Sequence, residues 1–242
     1  FKTDSGSGAS RVTYVGGQVV QQAAGKMMKL ILAVAAKDWG CAENEVVFEG
    51  GRVVHKDSDR SLSLAEVAKM GGDGGSPLQV KEYLNLSEGP PVTTFTAQVV
   101  ELEVDPETGQ IKLLDVVTAH DVGTIINPLG HQGQIDGGLL QGVGFGLLEE
   151  LRVEDGQVST LNLGDYKLPN IRDIPPLKTV LVQEEVGPAP FHGKAIGESS
   201  ITPTGAAIAN AVYDAVGVRF HDLPITAEKV YRALREKSEG EG

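Results

Sequence analysis

The feature that most constrains this chain is a pair of extended runs joined by a tight reversal. From Val92 to Val104 apolar and polar residues alternate in places, Asp105-Pro106-Glu107-Thr108-Gly109 supplies a turn, and Ile111 to His120 continues as a second strand. Successive side chains in a strand point to opposite faces, so such a pair forms an antiparallel hairpin with one face to bury. The fold must supply a covering layer.

Helical patterns are available for that layer. Val19, Ala23, Met27, Leu30 and Val34 recur at helical spacing, Ser63 suits the cap of a short helix ending at Met70, and Thr226 opens another through Arg235. From Gly133 to Glu150 apolar residues at helical spacing are interrupted by Gly138, Gly142 and Gly146, a four-residue repeat that lets a helix approach a neighbour or ligand closely. Further strands are expected at 45–48 and 52–55 around Gly50-Gly51, at 150–153 and at 178–183. The break Gly71-Gly72-Asp73-Gly74-Gly75-Ser76-Pro77 divides the chain, predicting an α+β protein of two subdomains, 1–75 and 76–242, with helices packed on mostly antiparallel sheets. Residues 237–242 are expected to fray.

Composition excludes several function classes. A formal net charge of -12 disfavours sequence-independent nucleic-acid binding, and no apolar run in the sequence nears the roughly 20 residues of a membrane span. Cys41 is the one cysteine, so no internal disulfide, four-thiolate iron-sulfur cluster or thiolate zinc site is expected within the chain. Following Trp39-Gly40, it reads as a small packed side chain. Histidines 55, 120, 131, 192 and 221 lack metal-ligand spacing, so no directly ligated metal is expected. A start at Phe1 without a signal-peptide pattern suggests a trimmed piece of something longer, in a cytoplasmic setting.

Two segments carry candidate chemistry. In His192-Gly193-Lys194-Ala195-Ile196-Gly197-Glu198-Ser199-Ser200-Ile201-Thr202-Pro203, a carboxylate lies ahead of a helix expected to be capped by Thr202, to begin at Pro203 and to end at Gly217. A helix N-terminus favours an anion, so Glu198 is suited to accepting a proton; the alternative is a solvent-facing loop residue. The second is Asp4 to Arg11, whose Gly8, Ala9, Ser10 and Arg11 suit either an anion-binding loop or a plain helix cap. Gln141, among the glycines, is placed either to hydrogen-bond a planar ligand or to satisfy nearby backbone. Ser199, Ser200, His192 and Asp214 lack the Gly-x-Ser-x-Gly elbow of a hydrolase.

Taken together, Gly6 to Thr13, Asp121-Val122-Gly123 with Asn127-Pro128, Gly133-Gln134-Ile135 through Gln141-Gly142-Val143-Gly144 to Glu149-Glu150, and Lys194 to Glu198 resemble the C-terminal half of the molybdenum-binding subunit of the xanthine dehydrogenase and aldehyde oxidase family. The resemblance implies a molybdopterin cofactor, often the cytosine dinucleotide form in bacterial members, whose metal takes no protein ligand. Gly8, Ala9, Ser10 and Arg11 would wrap it, Gln141 would lie beside the metal's oxo group or the pterin, Ile196 and Gly197 would contact it, and Glu198 would be the general base. The activity implied is hydroxylation of an aldehyde or an N-heterocycle such as a purine with water-derived oxygen. Ser199-Ser200 stand where many purine-oxidising members have two prolines. The N-terminal half of the subunit would complete the site, and iron-sulfur clusters and FAD would belong to partner domains or subunits. Two rival readings are a non-catalytic partner domain that needs another chain to bind cofactor, and an unrelated α+β binding domain.

Overall fold

The computed structural model describes residues 6–71, 76–84 and 93–240; residues 72–75 of the glycine-rich break, and Val92 of the first extended run, lie outside this set. Its contacts divide the chain into Phe1–Tyr14 with Pro90–Gly242, and Val15–Gly89. This division differs from a break at 75/76, and it assigns the Gly8 to Arg11 loop to the larger unit.

In the smaller unit a long helix, α1 (Gly17–Trp39), is followed by strands β1 (Val46–Glu49), β2 (Arg52–His55) and β3 (Ser61–Ser63) and by helix α2 (Leu64–Met70). The three strands form an antiparallel sheet in sequence order. Ser63 caps α2 as expected, its Oγ accepting the Glu66 N–H at 3.2 Å while Glu66 Oε2 accepts the Ser63 N–H at 2.7 Å. Ala35, Ala36, Val46, Val53 and Val67 form the buried core, with Ile31 and Leu32 packed on it. The helix spanning Val12–Trp39 is long and apolar enough, by length and composition, to cross a bilayer, against the expectation from apolar runs in the sequence. A helix that packs Ala35 and Ala36 against a sheet passes the same test.

The larger unit is built on the predicted hairpin, β4 (Thr96–Val104) and β5 (Ile111–Asp121), antiparallel in the register Thr96↔His120 to Val104↔Ile111. Two helices follow it in the chain, α3 (Pro128–Val143) and the short α4 (Leu163–Tyr166), with the hairpin β6 (Val153–Glu154) and β7 (Gln157–Val158) between them. The strand expected at 150–153 is therefore only the start of a two-residue ladder. Strand β8 (Leu177–Val182) joins β5 in parallel, making the main sheet mixed, in the order β4-β5-β8.

Helices α5 (Thr204–Val216) and α6 (Ala227–Gly240) complete the chain. One face of the sheet is covered by Leu139 and Val143 from α3, Ile208 and Val212 from α5, and Val230 from α6, around Val116. A fully buried aliphatic side chain contributes about 1.5–3 kcal/mol, so these few positions hold the layers together. Helix α6 runs to Gly240 rather than fraying from 237, because Lys237 Nζ donates to the Val216 carbonyl at 3.2 Å and Ser238 Oγ to the Arg235 carbonyl at 2.8 Å.

The glycine stripe fits α3 to the segment leading into α5. A Cβ on Gly138 would lie 2.0 Å from Ser200 Oγ, one on Gly142 2.4 Å from Thr204 Cβ, and one on Gly146, just past α3, 3.2 Å from Ile208 Cδ1. Residues 138, 142 and 146 thus mesh with 200, 204 and 208, four-residue spacing against four-residue spacing. This packing presents the residues just before Ser200 to the surface.

Candidate functional site

Three segments of the larger unit converge here: the end of β5, the N-terminal turns of α3 and the loop 193–203. Gly123 and Gly193 form an isolated antiparallel bridge; the Lys194 N–H donates to the Val122 carbonyl at 3.0 Å and the Thr124 N–H to the His192 carbonyl at 3.2 Å. Below this bridge the Lys194 ammonium donates to Asp121 Oδ2 at 2.6 Å, with side-chain exposures of 5% and 13%. Removing one partner of such a buried pair costs about 3–5 kcal/mol. The pair anchors the start of the Glu198 loop.

Thr202 does not cap α5. Residues 198–203 already form successive turns, so the Thr202 hydroxyl donates back to the Glu198 carbonyl at 3.1 Å and the helix begins at Thr204. Thr204 Oγ1 in turn donates to the Ser200 carbonyl at 2.9 Å, which also accepts Gln98 Nε2 at 2.8 Å. Gly217 ends α5 as expected, its N–H donating to the Tyr213 carbonyl. The turns give Glu198 a fixed base.

Glu198 meets the serine loop directly: Ser10 Oγ donates to Glu198 Oε2 at 2.9 Å, joining residues 188 positions apart. Gly197 permits the approach, since a Cβ there would lie 2.8 Å from Ser10 Oγ. The loop Gly8 to Arg11 turns sharply, with the Arg11 N–H donating to the Gly8 carbonyl at 3.3 Å. Ala9 and Ser10 both adopt left-handed backbone, φ 52° and 53°, at a cost of about 1–2 kcal/mol per non-glycine residue. Glu198 is exposed, and its Oε1 makes no hydrogen bond among the described residues. One carboxylate oxygen is therefore held and the other is open to a reactant.

Two clefts flank this loop. One of about 210 Å³ is lined by Thr124, Asn127, His131, Gln134, Lys194 and Ile196 among others; a second, of about 190 Å³, is lined by Ala9, Ser10, Arg11, Tyr14, Lys194 and Ala195. Asn127 caps α3 by accepting the Gly130 N–H at 2.9 Å, and its carbonyl meets His131 Nδ1 at 2.8 Å. Gln134 Nε2 donates to the Gly197 carbonyl at 3.1 Å. The structure thus gathers Gly8, Ala9, Ser10, Arg11, Ile196, Gly197 and Glu198, but Gln141 is exposed two turns further along α3, and its side-chain amide makes no hydrogen bond among the described residues. The amide at the site is Gln134, seven residues earlier on α3. Gln134, Lys194 and Asp121 stood inside the quoted motifs, but only the tertiary contacts distinguish them.

Behind Glu198, buried His120 lies between Thr118 Oγ1 at 2.8 Å, Thr96 Oγ1 at 3.2 Å and Ser199 Oγ at 3.5 Å. Burial pushes its imidazole below the ordinary histidine value, favouring the neutral ring. The polar groups around the two clefts are hydroxyls, amides, backbone groups, the His131 imidazole, the Arg11 guanidinium and the Lys194 ammonium. Such a set suits an organic group held by hydrogen bonds.

Comparison with known proteins shows the family. The sequence profile of the molybdopterin cofactor-binding domain matches residues 1–175. The chain belongs to this family. This molybdopterin-binding chain is similar to the xanthine dehydrogenase molybdenum-binding subunit of Escherichia coli O157:H7, 31% identical over 235 residues, covering 94% of this chain and 31% of that one. It is also similar to the nicotine 6-hydroxylase large subunit of Paenarthrobacter nicotinovorans, 32% identical over 244 residues, covering 96% and 30%. Among solved structures, quinoline 2-oxidoreductase from Pseudomonas putida 86 superposes with a TM-score of 0.76 at 28% identity, over 96% of this chain and 31% of that one. The chain therefore spans about 30% of the length of the relatives it matches.

Proposed function

We propose that this chain forms one wall of the active site of a molybdenum hydroxylase and supplies its general base, Glu198. The substrate class is an aldehyde or an N-heterocycle such as a purine, hydroxylated with oxygen from water: R–H + H2O → R–OH + 2 H⁺ + 2 e⁻. Bound molybdopterin, in the cytosine dinucleotide form on this reading, would supply the two-electron redox chemistry. Gly8 to Arg11, Ile196, Gly197 and Gln134 would hold it, through the groups that line or brace the two clefts. The contact between Ser10 and Glu198 at 2.9 Å carries the proposal, because it ties the candidate base to the loop that would bind the cofactor.

In this arrangement Ser10 orients the carboxylate through Oε2, while Oε1 takes a proton from the attacking oxygen. The Lys194–Asp121 pair and the Gln134 bond to Gly197 fix the loop, limiting the rearrangement needed as the proton moves. The remaining part of a subunit of the relatives' length would complete the pocket around the substrate. Iron-sulfur and FAD-containing domains or subunits would carry electrons away, in the cytoplasm.

The test is Glu198→Gln in the subunit assembled to the length of its relatives, with molybdenum content measured beside turnover. General-base loss should lower kcat by about 10²–10⁴-fold with molybdenum retained. Normal turnover in a molybdenum-loaded variant would refute the assignment. The Ser10→Ala variant should retain part of the activity, because it removes orientation and leaves the base.

A further inference from the structure

The smaller unit carries a cluster that the proposed reaction does not use. Cys41, Glu45 and His55 each offer one ligand atom within 4.8 Å of the other two, and all three are half-buried. Nothing in their spacing along the chain announces this. The fold brings them together: Cys41 follows α1, where its N–H donates to the Ala36 carbonyl at 3.0 Å; Glu45 closes a short 3-10 turn; and β1 pairs with β2 so that Val46 faces His55. The Lys56 N–H donates to the Glu45 carbonyl at 2.9 Å, and Glu45 Oε2 accepts the Ala42 N–H at 2.8 Å, leaving Oε1 for a ligand. Trp39 packs its ring 6.0 Å from that of His55. Folding has already positioned the three donors.

We propose that Cys41, Glu45 and His55 form a zinc-binding site, with thiolate, carboxylate and imidazole as ligands and water in the fourth position. The combination of sulfur, nitrogen and oxygen donors suits a borderline-soft divalent ion, and thiolate plus carboxylate neutralise its charge. Binding releases the Cys41 thiol proton to solvent. It also ends one contact: His55 Nδ1 accepts the Asp57 N–H at 3.1 Å, and a cation on either ring nitrogen displaces that bond, since a ring ligated through Nε2 carries its proton on Nδ1. The site should accordingly bind less tightly than a closed four-ligand centre.

Cobalt(II) is the probe, added to the purified chain, with zinc as competitor. The expected result is a thiolate-to-cobalt charge-transfer band that saturates at one equivalent, is removed by zinc, is absent in Cys41→Ser, and needs more than about tenfold more metal in His55→Gln. Zinc should also slow alkylation of Cys41, the sole cysteine, in the wild type and not in His55→Gln, a comparison that reads the site without requiring the Cys41 variant to fold. Absence of the band under a modest excess of cobalt overturns the site. So does a band of unchanged affinity in both His55→Gln and Glu45→Gln, which would leave the thiol acting alone.

Discussion

His120 has no access to solvent, and its ring is supported by Thr118, Thr96 and Ser199, the residue next to the candidate base. Its imidazole is lowered by burial, and the sign of the pH effect follows. Above the ordinary imidazole value of about 6.5 the ring is neutral in both folded and unfolded chains and stability is unaffected. As pH falls through that value the unfolded chain takes up a proton that the folded chain resists, so stability is lost until the lowered folded value is passed. Urea midpoints measured between about pH 7.5 and 5.5 should fall for the wild type and fall less for His120→Asn. Equal slopes would show that His120 is not the titrating group. Glu198 and Gly197 stand out in the sequence because a carboxylate beside a glycine, with no other charge between Ala195 and Pro203, is a local pattern.

At the scale of elements, α3 and the start of α5 are fitted by the absence of side chains. Gly142→Ala would set a Cβ 2.4 Å from Thr204 Cβ, whereas Gly137, on the open face of the same helix, has nothing within 4 Å. Chemical denaturation should show Gly142→Ala destabilised by about 1–3 kcal/mol, as overpacking is. Gly137→Ala should be neutral or stabilising by up to about 1 kcal/mol, from helix propensity alone. If both substitutions behave alike, the four-residue stripe is not a packing device. Helix α5 and the β4-β5 hairpin were legible from apolar period and turn residues. The start of α5 was misplaced by one residue because Thr202, a good cap by type, is already committed to a turn that returns to Glu198.

Across the whole molecule, two buried cores serve the two units, one around Val53 and Val67 and one around Val116, Ile208 and Val212. Large apolar side chains stand open, Leu129 at 85%, Leu161 at 81% and Ile171 at 86% exposure. On the proposed reading, the cofactor needs contacts beyond those that 242 residues supply, in relatives about three times as long. Molybdenum measured by mass spectrometry should be well below one atom per chain for this polypeptide purified alone. It should approach one atom when the polypeptide is assembled to its relatives' length. A full complement in the isolated chain would show that the wall described here suffices.

What the sequence determined by itself was local: the hairpin, the helical periods, the helix cap at Ser63, and the family motifs carried by short runs of glycine, glutamine and glutamate. These depend on backbone preference and on side-chain spacing within a few residues. Tertiary structure decided which of two glutamines on one helix reaches the loop, Gln134 rather than Gln141, and bonded Ser10 to a glutamate 188 positions away. It also set Cys41, Glu45 and His55 within reach of one ion. Such meetings depend on strand register and on how closely two backbones pack, which involve residues remote in the chain and leave no mark on local composition.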